Sequence, residues 1–291
     1  MVFSITSELL LDDFKEVTSS DPYKVAMNLV DLSSQGARGY SGYLRASQIA
    51  SVCPREEYLG YKYKLYRHDI VASDPSLKVT FDIGHAVHFF IQNSPQYFGD
   101  RRIGWWKCLA CGYKWFGRYQ RIKCEKCGAS PNALVYDELE IKIEQPYRLW
   151  GHIDMLIAFD NSIRVLDIKT IDKDSFLELE RPHYENVLQL ICYMNYVNYL
   201  NLPVKVAEDY GIILYVSKGY YKSHFPLKAF LVENDLFHRK TIDQKLKVFT
   251  HAIEQNVLPK PLTECLSSGF KHFRAKSCPA LEVCKRLHNE A

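Results

Sequence analysis

No stretch of this chain approaches the roughly eighteen consecutive apolar residues that a membrane-spanning helix needs. Its first residues, Met1-Val2-Phe3-Ser4, also lack the basic segment and apolar run of a secretory leader. A cytoplasmic protein with no membrane partner is therefore expected, in a reducing compartment that disfavours disulfides. Internal repeats and low-complexity tracts are missing too. So is a strong charge of either sign: the formal net charge is +3 and the pI about 8.2, so whole-molecule attraction to nucleic acid is modest and any steering must come from local patches. What remains is ordinary globular usage, 47% hydrophobic and 24% charged, in 291 residues that suffice for a sizeable core.

Against that background an ordered set of polar residues sits on apolar segments. Tyr147 to Phe159 is apolar with interruptions, Asn161 and Ser162 supply turn chemistry, and Ile163 to Ile168 is rich in branched aliphatics, which predicts a β-hairpin. Alternation along a strand puts Asp167 and Lys169 on one face and turns Ile168 into a core. With Asp154 of Gly151-His152-Ile153-Asp154, two carboxylates and an ammonium converge. Burying such a group is costly, since like charges repel and isolated ones lose hydration. A hard divalent cation relieves that cost. Mg²⁺ or Mn²⁺ takes one or two carboxylates and completes its octahedron with water and phosphate oxygens, so Asp154 and Asp167 suit it, and Lys169 would orient or deprotonate water. A lone Asp-x-Lys on a surface hairpin is, by contrast, an ordinary solvated ion pair.

Two helical pairs flank this segment. Residues 81–90 have helical apolar spacing, with Gly84 and His88 four apart on one face. Gln189 and Tyr193 repeat the spacing downstream, and an amide and a hydroxyl one turn apart can hydrogen-bond a phosphate or base edge without adding charge. Each pair alone is also what an ordinary packed helix shows.

Cysteine usage divides in two. Cys108-Leu109-Ala110-Cys111 and Cys124-Glu125-Lys126-Cys127 are separated by twelve residues, with Gly112 and Gly128 following each pair. This is a zinc-ribbon signature: each knuckle aims two thiolates at one ion, the glycine permits the tight backbone, and four sulfurs close a tetrahedral Zn²⁺ site. Such a ribbon has almost no expected core of its own, so metal binding substitutes for hydrophobic burial. Between Arg101 and Ser130 lie eight Lys or Arg residues, Arg118, Arg121 and Lys123 among them, against the single acid Glu125. Trp105, Trp106, Trp115, Phe116 and Tyr119 interleave with them, as on surfaces that stack bases and neutralise single-strand phosphates. The expectation is a DNA-guiding flap beside the active site, with Arg118, Arg121 and Lys123 binding DNA; a purely structural ribbon is the alternative.

The ordered motifs Ser47 to Arg55, Gly84-xxx-His88, Gly151-xx-Asp154, Asp167-x-Lys169 and Gln189-xxx-Tyr193 resemble the RecB-like branch of the PD-(D/E)XK nucleases, which includes the nuclease domain of AddB and the CRISPR-adaptation exonucleases. The resemblance spans most of the chain. It implies an α/β fold, with a restriction-endonuclease-like mixed central sheet flanked by helices, here carrying a small zinc-ribbon insertion. It implies that His88, Asp154 and Asp167 hold the metal with help from the Ile168 carbonyl, that Lys169 serves the nucleophilic water, and that Gln189 and Tyr193 position DNA. Ile153 stands where the family name has a proline, as is common in this branch. The resemblance further implies a [4Fe-4S] cluster on four cysteines, for which Cys53, Cys278 and Cys284 are placed. Cys265 would have to substitute for a ligand that the pattern sets at residue 275, here Ala275. Fe–S ligation tolerates variable spacing, while the alternative is a set of buried free thiols.

The implied activity is metal-dependent hydrolysis of DNA, as an exonuclease on single-stranded ends in recombination, repair or CRISPR adaptation, with a helicase, recombination or adaptation protein as partner. The alternative is a DNA-binding or structural subunit of such a complex. The expected organisation is an N-terminal helical segment over residues 1–46, a nuclease core over 47–103 and 133–291, and a ribbon over 104–132. Ser47 should cap a helix running through Tyr58. Leu134 to Glu144 reads as a strand, Tyr210 to Ser217 and Tyr221 to Leu227 as a hairpin, and Asn234 to Glu254 as an amphipathic helix ended by Pro259 and Pro261.

Overall fold

Pro54 sets the first boundary. It biases Cys53 to an extended backbone (φ −101°, ψ 109°), so helix α1 (Pro54–Lys62) begins there with proline in its first turn. Ser47 accordingly lies in a separate one-turn 3-10 segment, Ala46–Gln48, and is not the cap of a longer helix. The computed structural model describes residues 38–67, 75–118, 123–219 and 225–289; the helices expected within 7–35 lie outside these. Strands β1 (Arg38–Gly39) and β3 (Tyr66–Arg67) pair with each other, and β2 (Leu44–Arg45) runs parallel to a later strand.

After α2 (Pro75–Asn93) come β4 (Arg102–Cys108), β5 (Lys114–Arg118), β6 (Leu134–Asp137), β7 (Leu139–Ile143), β8 (Leu149–Ile153), β9 (Met155–Phe159) and β10 (Ser162–Ile171). Helices α3 (Lys173–Glu178) and α4 (Tyr184–Tyr196) lead to β11 (Tyr210–Ser217) and β12 (Leu227–Glu233). The chain then turns helical through α5 (Leu236–Gln255), α6 (Thr263–Ser267), α7 (Phe273–Lys276) and α8 (Leu281–Asn289).

The larger sheet has the order β12-β11-β10-β9-β4-β5, with β6 beside β4 on the same edge as β9. Its β10–β11 pair is parallel and its other pairs antiparallel, so the sheet is mixed. A second sheet has the order β2-β8-β7. The chain crosses between the two sheets at single residues: at Glu138 from β6 to β7, and at Asp154 from β8 to β9. Leu134 to Glu144 and Tyr147 to Phe159 are thus each two strands and not one. Asp160 and Asn161, both at positive φ, form the two-residue turn of the β9–β10 hairpin. The partner of β11 begins at Leu227, where the expected strand ended; residues 220–224 lie outside the described set. Asn256, in the left-handed region, ends α5 before either proline is reached.

Period-2 alternation assigns the two faces of the large sheet. Val165, Ile213 and Tyr215 pack with Leu190 and Ile191 of α4 and with Leu246 and Phe249 of α5. Leu166, Ile168, Ile212 and Leu214 pack on the other face with Ile91 of α2 and with Trp106. Lys245 of α5 donates to the carbonyls of Ile49 and Ala50, fastening the first motif to the core. The expected ribbon boundary at residue 104 falls inside β4, which serves both the large sheet and the first knuckle.

Candidate active site

Strand β10 outruns its neighbour. Its antiparallel register with β9 covers only residues 162–166, so from Asp167 onward no strand among the described residues pairs with that edge. Asp154 fills the gap: its Oδ2 accepts the Ile168 N–H at 2.6 Å, a bond that the ladder would otherwise have supplied. On the same stretch of β10, Lys169 Nζ lies 2.8 Å from Asp167 Oδ2, and His88 Nδ1 of α2 lies 3.7 Å from Asp154 Oδ1. The structure therefore brings His88, Asp154, Asp167 and Lys169 together. Asp167 is 1% exposed; its Oδ2 pairs with the Lys169 ammonium, and among the described residues its Oδ1 has no hydrogen-bond donor. Buried carboxylate oxygens with unused acceptor capacity are what a hard cation takes as ligands.

The two carboxyls sit in different fields. Burial pushes Asp167 up to about 6 against the pull of Lys169, whereas for Asp154 burial is outweighed by His88, Lys169 and the Ile168 N–H, which hold it below the ordinary value. Burial also disfavours the Lys169 ammonium, but the adjacent Asp167 and Asp154 charges keep its pKa above the usual range.

Both motif glycines are close-approach positions. A Cβ on Gly84 would lie 3.1 Å from Thr170 Oγ1, so α2 can pack on β10 and set His88 one turn further along. A Cβ on Gly151 would lie 3.0 Å from the Tyr193 ring, which makes the glycine of one motif the seat for the tyrosine of another. Gln189 and Tyr193 are 8% and 2% exposed, and the Gln189 amide donates to the Tyr193 hydroxyl at 3.0 Å. This places the pair beneath β8, with the Tyr193 ring against Gly151. Burial also raises the Tyr193 hydroxyl well above its ordinary pKa.

A sequence profile of the PD-(D/E)XK nuclease superfamily matches residues 47–285. The chain belongs to that superfamily. Two solved structures align with this nuclease-superfamily chain. SSO0001 is 13% identical, over 90% of each chain, with a TM-score of 0.39. An alkaline exonuclease, LHK-Exo, from Laribacter hongkongensis is 11% identical, over 79% of this chain and 94% of the other, with a TM-score of 0.40. No curated protein matches.

One residue of the superfamily chain's polar centre escaped the sequence reading. Glu138, at the β6–β7 crossing, brings a carboxylate oxygen within 4.8 Å of ligand atoms on His88 and Asp154. It opens on a cavity of about 630 Å³ that His85, His88, Phe89, Lys114 and His152 also line. Its signal in the sequence is slight, because Leu134 to Glu144 reads as one continuous strand.

The four knuckle sulfurs also lie within 4.8 Å of one another, with Cys108–Cys127 and Cys111–Cys124 at 3.7 Å. Tetrahedral bonds of about 2.3 Å would set sulfurs about 3.8 Å apart, so the cluster fits a metal ion. The knuckles share one geometry. Gly112 N–H donates to the Cys108 carbonyl and Gly128 N–H to the Cys124 carbonyl, and both glycines have φ +73°. The aromatics beside them differ from expectation. Trp106 and Trp115 are buried and stacked at 6.4 Å between ring centroids, and Tyr136 meets Trp106 edge-on, so these rings form a core for the ribbon and no base-stacking face. Arg118 and Lys123 are exposed; Arg118 lines a different cavity, with Asp160 and Lys205, and Arg121 lies outside the described residues.

Cys53, Cys265 and Cys278 each lie close enough to Cys284 to feel its charge. The buried Arg55 guanidinium joins this region, donating from Nε to Cys284 Sγ at 3.1 Å and from Nη2 to the Cys284 carbonyl at 3.2 Å. The four do not form a single-ion cluster: among the described residues, the groups of three or more that meet within 4.8 Å are the knuckle cysteines and the His88, Glu138 and Asp154 set. Cys192 is a buried core thiol of α4.

Proposed function

We propose that this chain is a divalent-metal-dependent deoxyribonuclease, acting as an exonuclease on single-stranded DNA ends. The observation that carries the reading is the buried Asp167, paired through Oδ2 with Lys169 at 2.8 Å, its Oδ1 without a donor among the described residues, beside Asp154. Asp154, Asp167 and His88 would hold Mg²⁺ or Mn²⁺, with the Ile168 carbonyl as a further ligand. When bound, that ion polarises the scissile phosphate and lowers the pKa of water. Lys169 places the attacking water in line and steadies charge as it develops, while Asp167 fixes the ammonium. Asp154 is oriented in turn by the Ile168 N–H. Gln189 and Tyr193 act as positioning residues that pack against Gly151 and so set the strand carrying Asp154.

The ribbon metal is Zn²⁺, and residues 104–132 form an insertion whose exposed Arg118 and Lys123, together with Arg121, guide DNA. The RecB-like branch, with a recombination, repair or CRISPR-adaptation setting and a helicase-type partner, is the context proposed. Among the described residues no helix is long and apolar enough to cross a membrane.

Linear and circular single strands labelled with a fluorophore separate the exonuclease reading from its alternatives. Linear strands should be degraded progressively from an end in Mg²⁺ and circular ones should persist. Cutting of circles would instead mark endonuclease action.

For the second cofactor we propose a [4Fe-4S] cluster on Cys53, Cys265, Cys278 and Cys284. The Arg55–Cys284 bond supports it, because a cationic donor stabilises a thiolate ligand. The cluster would tie α1 to the C-terminal helices. Anaerobically purified protein should then be brown, with about four irons per chain, and Cys53→Ser should lose iron and melt earlier. Colourless protein that contains zinc but no iron excludes the cluster.

A further inference from the structure

We propose that the outer face of the β2-β8-β7 sheet is a track for single-stranded DNA, on which Trp150 and Tyr43 stack unpaired bases on the way to the catalytic centre. The inference rests on the nuclease reading above and adds to it residues that hold the substrate away from the chemistry. Alternation decides which side chains occupy this face. Leu139, Ile141, Ile143, Leu149 and Ile153 are buried in the core, so the residues between them on β7 and β8, Glu140, Lys142, Trp150 and His152, lie on the opposite side. The register sets them in rows: Lys142 and Arg45 flank Trp150, and Glu140 stands opposite His152.

Both rings are matched with cations. The Arg45 guanidinium lies 4.7 Å from the centre of the Trp150 indole, and the Lys142 ammonium and Arg148 guanidinium lie 5.1 and 4.8 Å from the centre of the Tyr43 ring. The face also carries two carboxylates, and both are engaged by the rings: Glu140 accepts the Trp150 indole N–H at 2.9 Å, and Glu144 accepts the Tyr43 hydroxyl at 2.7 Å. Rings fixed by their polar edges beside cations suit a strand whose bases can stack while its phosphates are neutralised, whereas a duplex offers no free base face. The ribbon lacks this arrangement, because Trp106 and Trp115 are buried there. The track also has a direction. The exposed His152 ring lies 5.9 Å from the Trp150 indole, and His152 lines the cavity onto which Glu138 opens. Trp150 and Asp154 are four residues apart, about 13 Å of extended chain, so a strand lying along β8 is delivered to the catalytic carboxylates.

The test is fluorescence anisotropy of labelled oligothymidine, and of a blunt duplex of the same length, with the zinc-replete full chain in the absence of Mg²⁺ and Mn²⁺. Trp150→Ala and Trp150→Leu should each weaken oligothymidine binding about tenfold, while Trp150→Phe stays within about threefold of wild type and duplex affinity barely changes. Leucine refills the apolar volume without a stacking ring, so recovery in Trp150→Leu would mean packing and overturn the proposal. Lys142→Ala should lower the salt slope by about one. Photocross-linking of iododeoxyuridine oligonucleotides to wild type needs no variant, and mass spectrometry should place the adducts on peptides that carry Trp150 or Tyr43. Wild-type affinity in Trp150→Ala, an equal loss on the duplex, or adducts confined to the ribbon overturns the track and leaves the nuclease reading standing. A chain that shows the stacking losses but cuts no DNA once Mg²⁺ or Mn²⁺ is added keeps the track and removes the nuclease reading.

Discussion

Asp167→Asn and Lys169→Ala should each slow single-turnover DNA cleavage by on the order of 10³-fold, while affinity for the same DNA stays within about twofold. The asymmetry follows from position. Asp167 is buried and Lys169 reaches it from the same face of β10, so neither offers much surface to a nucleic-acid backbone. Their interaction with substrate is confined to the reacting phosphate and the attacking water, and losing it lowers the rate more than the binding. Asn keeps the shape of Asp167 and removes the charge that faces Lys169 and the cation. Because the two side chains act as a unit, the double variant should be scarcely slower than either single one. Fluorescence anisotropy with uncleavable DNA supplies the binding arm. A large loss of affinity in both variants would turn them into binding residues and contradict the assignment.

Cys124→Ser, or exhaustive chelation, should open the knuckles and lower the melting temperature by about 10 °C. The four sulfurs hold two loops that have little apolar content of their own, and each loop is otherwise secured by a few backbone bonds around its glycine. The damage should stop at the strands. Trp106 and Trp115 belong to the buried cluster that includes Met155 and Ile157, so β4 should stay paired with β9 after the metal has gone. Limited proteolysis with mass spectrometry reads both halves: new cuts within residues 109–113 and 123–133, and none in β4 or β5. An unchanged melting temperature in a protein purified without zinc would contradict the structural role.

What the sequence disclosed depended on how local each signal was. Asp167 and Lys169 were legible because period 2 alone puts them on one face, and the knuckles because a four-residue motif followed by glycine occurs twice. Glu138 was hidden for the opposite reason. It is the point where β6 becomes β7, and nothing in Leu134 to Glu144 marks a change of sheet. The same crossing at Asp154 divided the long segment from Tyr147. Composition misled at the ribbon, where Trp and Arg interleave as they do on base-stacking surfaces although two of the tryptophans are core. Helical spacing located Gln189 and Tyr193 correctly on one face but could not show that the space opposite, left by Gly151, is filled by the tyrosine itself. At Ser47 a favourable cap lost to the conformational restriction that Pro54 imposes on its predecessor.

Magnesium add-back to chelator-treated protein, with end-labelled single-stranded DNA as substrate, tests most directly whether Asp154, Asp167 and Lys169 form one metal-dependent centre. Cleavage should vanish in chelator, return as Mg²⁺ is added, and stay absent in Asp167→Asn at the same concentrations. Undiminished cleavage in chelator, or wild-type rates from Asp167→Asn, would contradict it.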